Sequence, residues 1–148
     1  MTERRVNAIG TRADFYVGRG KQAEWLGSVA WDGDPEAQPQ AVKDALLEGT
    51  FRTEVARDLA GRDDATLPEM GWPWPWKDSR TTDYAYAFDE GEVWASHFGR
   101  NWFPANAKDP DDLLGGPKTA EFPDMSERMN VTWGNRSGVL IVSKPGES

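Results

Sequence analysis

Apolar residues recur at two different spacings along this chain, and the change of spacing marks its elements. From residue 40 to about 60, Leu47, Phe51, Val55 and Leu59 recur every four positions, with Val42 and Leu46 on an adjoining stripe. That period predicts an amphipathic helix. Glu48 stands four residues before Arg52, the favourable order for a surface ion pair, and Gly61 is a natural stop. Gly49 weakens the middle, so two shorter helices meeting there fit the pattern as well. Before the helix, residues 14–17 read as a short strand, Gly18-Arg19-Gly20-Lys21 as a turn, and residues 24–31 as a second strand. Alternation puts Trp25, Val29 and Trp31 on one core-facing side, with Gly27 leaving room for an aromatic ring against backbone.

The clearest hairpin follows. Residues 83–88 and 93–98 are strand-like runs around Asp89-Glu90-Gly91-Glu92. Pairing Phe88 with Val93 sets Tyr86 opposite Ala95 and Tyr84 opposite His97. Both faces are then largely apolar, which predicts central strands covered on each side. Ala85 and Ala87, on the face with Trp94, Ser96 and Phe98, leave space for something bulky, and the helix is placed there. A last hairpin is expected from residues 129–133 and 139–142. The fold class is therefore α+β: a mainly antiparallel sheet of about six strands in three hairpins, with one principal helix on one face. A single domain over residues 1–148 is expected, with flexible ends at 1–12 and 144–148. Four prolines and Gly115-Gly116 make the stretch after Trp102, to residue 123, a long loop.

Aromatic content concentrates in residues 71–102, which hold five of the eight tryptophans, two of the three tyrosines and the sole histidine. Pro73 and Pro75 force Trp72 and Trp74 out of helical geometry. In a flat extended strand Trp72, Trp74 and Trp76 share one face; in polyproline II they fan outward. The segment is either a rigid lid over the core or a recognition ledge, since stiff aromatics offer contact area at little entropic cost.

Composition narrows the chemistry. There is no cysteine, which excludes disulfides and thiolate metal sites, and one histidine does not suffice for a zinc or copper site. No metal and no cofactor are expected. No apolar run approaches the roughly 20 residues of a membrane span, and the first ten residues lack the apolar segment of a secretory signal, so a cytoplasmic location is expected. Net charge is -8, distributed as +2 over residues 1–31, -5 over 32–64, -3 over each of 65–104 and 105–128, and +1 over 129–148. That is the reverse of a phosphate-backbone binder, so nucleic acid is not expected as a partner. A basic protein surface suits the acidic middle better.

Two kinds of site compete. His97, with Tyr84 across from it and Asp83 on the same strand, is the best catalytic candidate, because histidine titrates near neutrality. Asp83 falls on the opposite face, Ser96 points away, and no GxSxG elbow is present. The binding candidates are Trp72, Trp74 and Trp76, the carboxylates Asp89, Glu90 and Glu92 crowding one hairpin tip, and Asp109, Asp111 and Asp112 on the long loop. Arg19 and Lys21 in the glycine-rich turn could hold an anion, although the turn lacks the length and following helix of a phosphate loop. Asp32-Gly33-Asp34-Pro35 reads as turn and helix-entry chemistry rather than a calcium loop.

Residues 11–35, TRADFYVGRGKQAEWLGSVAWDGDP, resemble the opening of small uncharacterised proteins of bacterial prophages and mobile elements. The resemblance implies no activity and no catalytic residues; it implies a protein that blocks or sequesters something. The expected function is a small acidic, non-catalytic binding protein, an inhibitor that engages a host defence protein through the aromatic ledge and acidic loops. The alternatives are a protein sequestering a nucleotide-like small ligand and a small hydrolase-like enzyme centred on His97.

Overall fold

The computed structural model describes residues 10–107 and 115–129. Among them six strands form one sheet: β1 (Ala13–Val17), β2 (Glu24–Val29), β3 (Ala65–Thr66), β4 (Tyr84–Asp89), β5 (Glu92–His97) and β6 (Phe103–Pro104). Their spatial order is β3-β2-β1-β4-β5-β6. Two helices follow β2, the single turn α1 (Gln40–Lys43) and the longer α2 (Glu48–Ala60). The architecture is α+β, with one main helix against the sheet.

The expectation of a mainly antiparallel sheet in three hairpins is corrected: the sheet is mixed. At its centre β1 runs parallel to β4, with Ala13 opposite Tyr84 and Val17 opposite Phe88. Nearly every residue of both strands is buried, the condition under which parallel pairs occur. The hairpins β1–β2 and β4–β5 are present. The third, at residues 129–133 and 139–142, lies outside the described residues except for Met129. Six strands are reached through β3 and β6 instead, each too short to leave a periodic signature.

The central hairpin has the expected register, Phe88 opposite Val93, Tyr86 opposite Ala95 and Tyr84 opposite His97. Its two turn residues, Glu90 and Gly91, both take positive φ (52° and 80°). That backbone matches the twist of the flanking strands and fixes which side chains share a face.

Helix α2 packs on the opposite face from the one expected. Phe51, Val55 and Leu59 join Phe15, Tyr84, Tyr86, Phe88 and Val93 in one core, so the helix covers the tyrosine face. The alanine face is filled by indoles: Trp25, Trp72 and Trp74 pack with Tyr16, Ala85, Ala87, Phe122 and Met125. The small side chains do make room for bulk, but the bulk is the proline-stiffened segment and the strap of residues 115–125. Much of the expected long loop is therefore ordered packing, tied down where Ala120 N donates to Gly99 O and Met125 N to Lys77 O.

Two further expectations give way to local geometry. Opposite Phe15 and Tyr16, strand β2 carries a bulge that skips Leu26. An inserted residue reverses the alternation, so Trp25 enters the aromatic layer while Val29 enters the helix-side core. Trp31, beyond the strand end, is 41% exposed instead of being part of the core. The helical stretch breaks at residues 44–47, before Gly49, and Leu47 with extended backbone precedes α2. Leu46 and Leu47 thus leave the apolar stripe and are exposed. The Glu48–Arg52 pair forms as expected, with a second, bidentate partner in Glu24.

Candidate functional site

Strand β1 alternates Ala13, Phe15 and Val17 toward the helix with Asp14 and Tyr16 toward the indoles. Asp14 is fully buried there. Its Oδ1 accepts from Ser28 Oγ at 2.5 Å and Trp74 Nε1 at 2.7 Å, and its Oδ2 from Ser79 Oγ at 2.5 Å. Ser28 in turn accepts from Trp25 Nε1, and Ser79 shares a 2.6 Å hydrogen bond with Tyr16 OH. Burial pushes the carboxyl up from its ordinary value, and the hydroxyls and indole that donate to it pull it back. Burial, and then the Asp14 carboxylate, raise the Tyr16 phenol as well. This network orients two indoles from inside. It was not legible in the sequence, where a lone aspartate in a strand reads as an outward position.

Of the lid and the ledge, the packing of Trp72 and Trp74 is that of a lid on the sheet. Trp72 and Trp74 are buried, and only Trp76 of the three is half-exposed. Burying an indole removes roughly 150–250 Å² from water, worth about 4–6 kcal/mol before entropic costs, and the layer gains that for both rings. Trp72 donates to Trp76 O at 2.7 Å and meets Trp25 edge to face at 5.1 Å. Trp76 stacks on Trp74 at 5.6 Å, donates to the buried Thr82 hydroxyl at 2.9 Å, and has the Arg12 guanidinium 5.2 Å from its ring centre. Its outer side lines a shallow groove of about 310 Å³ with Lys77, Asp78, Arg80, Thr81 and Lys118.

The catalytic candidates are only partly assembled. Tyr84 and His97 lie ring to ring at 4.8 Å. The Asp83 carboxylate instead accepts from Arg12 N at 2.8 Å and faces the Arg12 side chain at 3.3 Å. Burial, helped by Asp34 and Asp83, pushes the Tyr84 phenol up to about 12, so it stays protonated at neutral pH. The structure thus sets Tyr84 beside His97 and Asp83 beside Arg12. Among the described residues no group of three or more His, Asp or Glu is placed to hold a metal ion. No described helix is long and apolar enough to cross a membrane.

At the hairpin tip the expected crowding of Asp89, Glu90 and Glu92 is relieved from within. Arg19 donates to Asp89 and to Glu90, each at 3.0 Å, while its guanidinium lies 4.2 Å from the Trp94 ring centre. Of the two residues expected to hold an anion, Arg19 is therefore paired with two carboxylates, and Lys21 is exposed. Glu92 is turned to a second groove, of about 380 Å³, between the α1–α2 hinge and the β6 edge. Asp44, Leu46, Pro104 and Asn106 also line it. Periodicity hid this surface, since it assigned both hinge leucines to the core. Asp109, Asp111 and Asp112 lie outside the described residues. Compared with protein-family models, curated proteins and solved structures, the chain has no match.

Proposed function

We propose that the chain is a non-catalytic binding protein that engages a basic protein partner at the groove beside the α1–α2 hinge. The observation that carries this reading is a pair of adjacent leucines, Leu46 and Leu47, left 72% and 68% exposed. Leu46 opens onto the groove beside the carboxylates of Asp44 and Glu92. Lys43 lines the same groove, but its Nζ donates to Pro35 O at 2.8 Å; an apolar contact beside two carboxylates is the composition of a protein-binding patch. The -5 balance of residues 32–64 surrounds it with a field that favours encounter with a cationic surface. The role we propose, blocking or sequestering with a host defence protein as the target, follows only from the resemblance of residues 11–35 to prophage and mobile-element proteins.

Neither leucine supports the core, so a Leu46→Ser, Leu47→Ser double variant should unfold within about 0.5 kcal/mol of the wild type. Immobilised on beads and exposed to a bacterial lysate, it should retain at least about tenfold less of a basic protein that the wild type enriches, a difference of ~1.4 kcal/mol. Quantitative mass spectrometry of both eluates reads the result. Equal capture by the two proteins would remove the hinge from the interface.

A further inference from the structure

The groove beside Trp76 is unlike the rest of this acidic chain. Three cations line it, Lys77, Arg80 and Lys118, against one carboxylate, Asp78. Asp78 is buried and already committed: it accepts from the Arg80 backbone N and from the Arg80 side chain at 3.0–3.3 Å. The guanidinium is held in place by that contact. Lys77 and Lys118 make no ion pair among the described residues. Glu121 stands close enough to act on Arg80, and Asp124 on Lys77, but the Asp124 carboxylate is occupied by Ser126 N and Oγ.

The aromatic wall is fixed by its own contacts. Trp76 is anchored at Nε1 by Thr82 and backed by Trp74, which itself hangs from Asp14. Trp74 stacks on this ring and the Arg12 guanidinium lies 5.2 Å from its centre, so the part of Trp76 that faces the groove is the surface a flat heterocycle packs against, with no ordering of the ring to accomplish on binding. Lysine and arginine groups beside such a platform suit a phosphate. At about 310 Å³ the groove lies at the lower end of the range of small-molecule sites, roughly 300–1,000 Å³. We infer that the Trp76 groove binds a small ring compound bearing a phosphate, of the nucleoside monophosphate class, with the ring on Trp76 and the phosphate among Lys77, Arg80 and Lys118.

Isothermal titration calorimetry of the full chain with adenosine monophosphate, adenosine and inorganic phosphate tests this. The monophosphate should saturate a single site with a dissociation constant of about 1 mM or tighter, and the two fragments should each bind at least about tenfold more weakly. Both lysines are exposed, with Lys118 Nζ 5.0 Å from the Phe98 ring centre, so a Lys77→Ala, Lys118→Ala variant should stay folded, melting within a few degrees of the wild type, while losing about tenfold or more in affinity. Glu121→Gln, which removes a nearby negative charge, should bind more tightly than the wild type. The inference is overturned if the monophosphate does not saturate, if phosphate alone binds as tightly, or if the double variant binds unchanged.

Discussion

Asp14 carries a carboxyl into the middle of an aromatic layer, and the groups that hydrogen-bond to it are hydroxyls and an indole rather than cations. Asp14→Ala would leave Ser28, Ser79 and Trp74 without their acceptor, and unpaired buried donors cost about 1–3 kcal/mol each. A loss of about 3 kcal/mol or more in urea unfolding is expected, and a loss near zero would mean water or rearrangement replaces the carboxylate. The pH dependence has a definite sign. Because burial raises the folded-state value above the ordinary 3.8, the unfolded chain ionises first as pH rises. The contribution of this residue is fully present below 3.8 and declines as pH climbs through the folded-state value. Wild type should therefore lose stability relative to Asp14→Asn as pH is raised from about 3 toward 7, and a constant difference between the two urea series would contradict the raised value. In the sequence this aspartate sits one residue from Ala13 and Phe15 and shares a strand parity with Tyr16. No period-two rule distinguishes it from a solvated position.

At the scale of elements, one residue of bulge decides what β2 contributes. Gly27 has φ of 146°, and a Cβ there would lie 2.6 Å from Leu59 Cδ1 and 2.8 Å from Thr66 O. Gly27→Ala should destabilise by about 2–4 kcal/mol, through backbone strain and displacement of α2 from the strand. Urea unfolding checks it, and a loss under about 0.5 kcal/mol would show that the bulge can relax. Strand parity read from sequence assumes an uninterrupted ladder, so it placed Trp25 and Val29 together. The β4–β5 hairpin has no such interruption: two turn residues with positive φ join its strands, and its register was legible pair by pair. The helix shows both behaviours. Phe51, Val55 and Leu59 were legible as a buried stripe, whereas Leu46 and Leu47 fell at a break that the four-residue spacing runs straight through.

For the whole molecule, the order of the sheet predicts its order of opening. Strands β1 and β4 are each paired on both sides and covered on both faces by the helix core and the indole layer. Their amides should exchange with deuterium last, and those of the two-residue edges β3 and β6 first. Mass-spectrometric exchange in which β6 outlasts β1 would contradict that arrangement. Local patterning by itself determined the α+β class, the amphipathic helix, the central hairpin with its register, and the acidic middle of the chain, because each depends on residues near one another or on simple counts. Only the tertiary structure decided that β1 meets β4 in parallel, that α2 takes the tyrosine face, and that Trp72 and Trp74 go inside while Trp76, Leu46 and Leu47 reach the surface. Those outcomes rest on competition between distant segments for the same two sheet faces. The winner is whichever set of side chains fills the volume and satisfies its polar atoms, a condition such as Asp14 meeting Ser28, Trp74 and Ser79 that no single stretch of the chain contains.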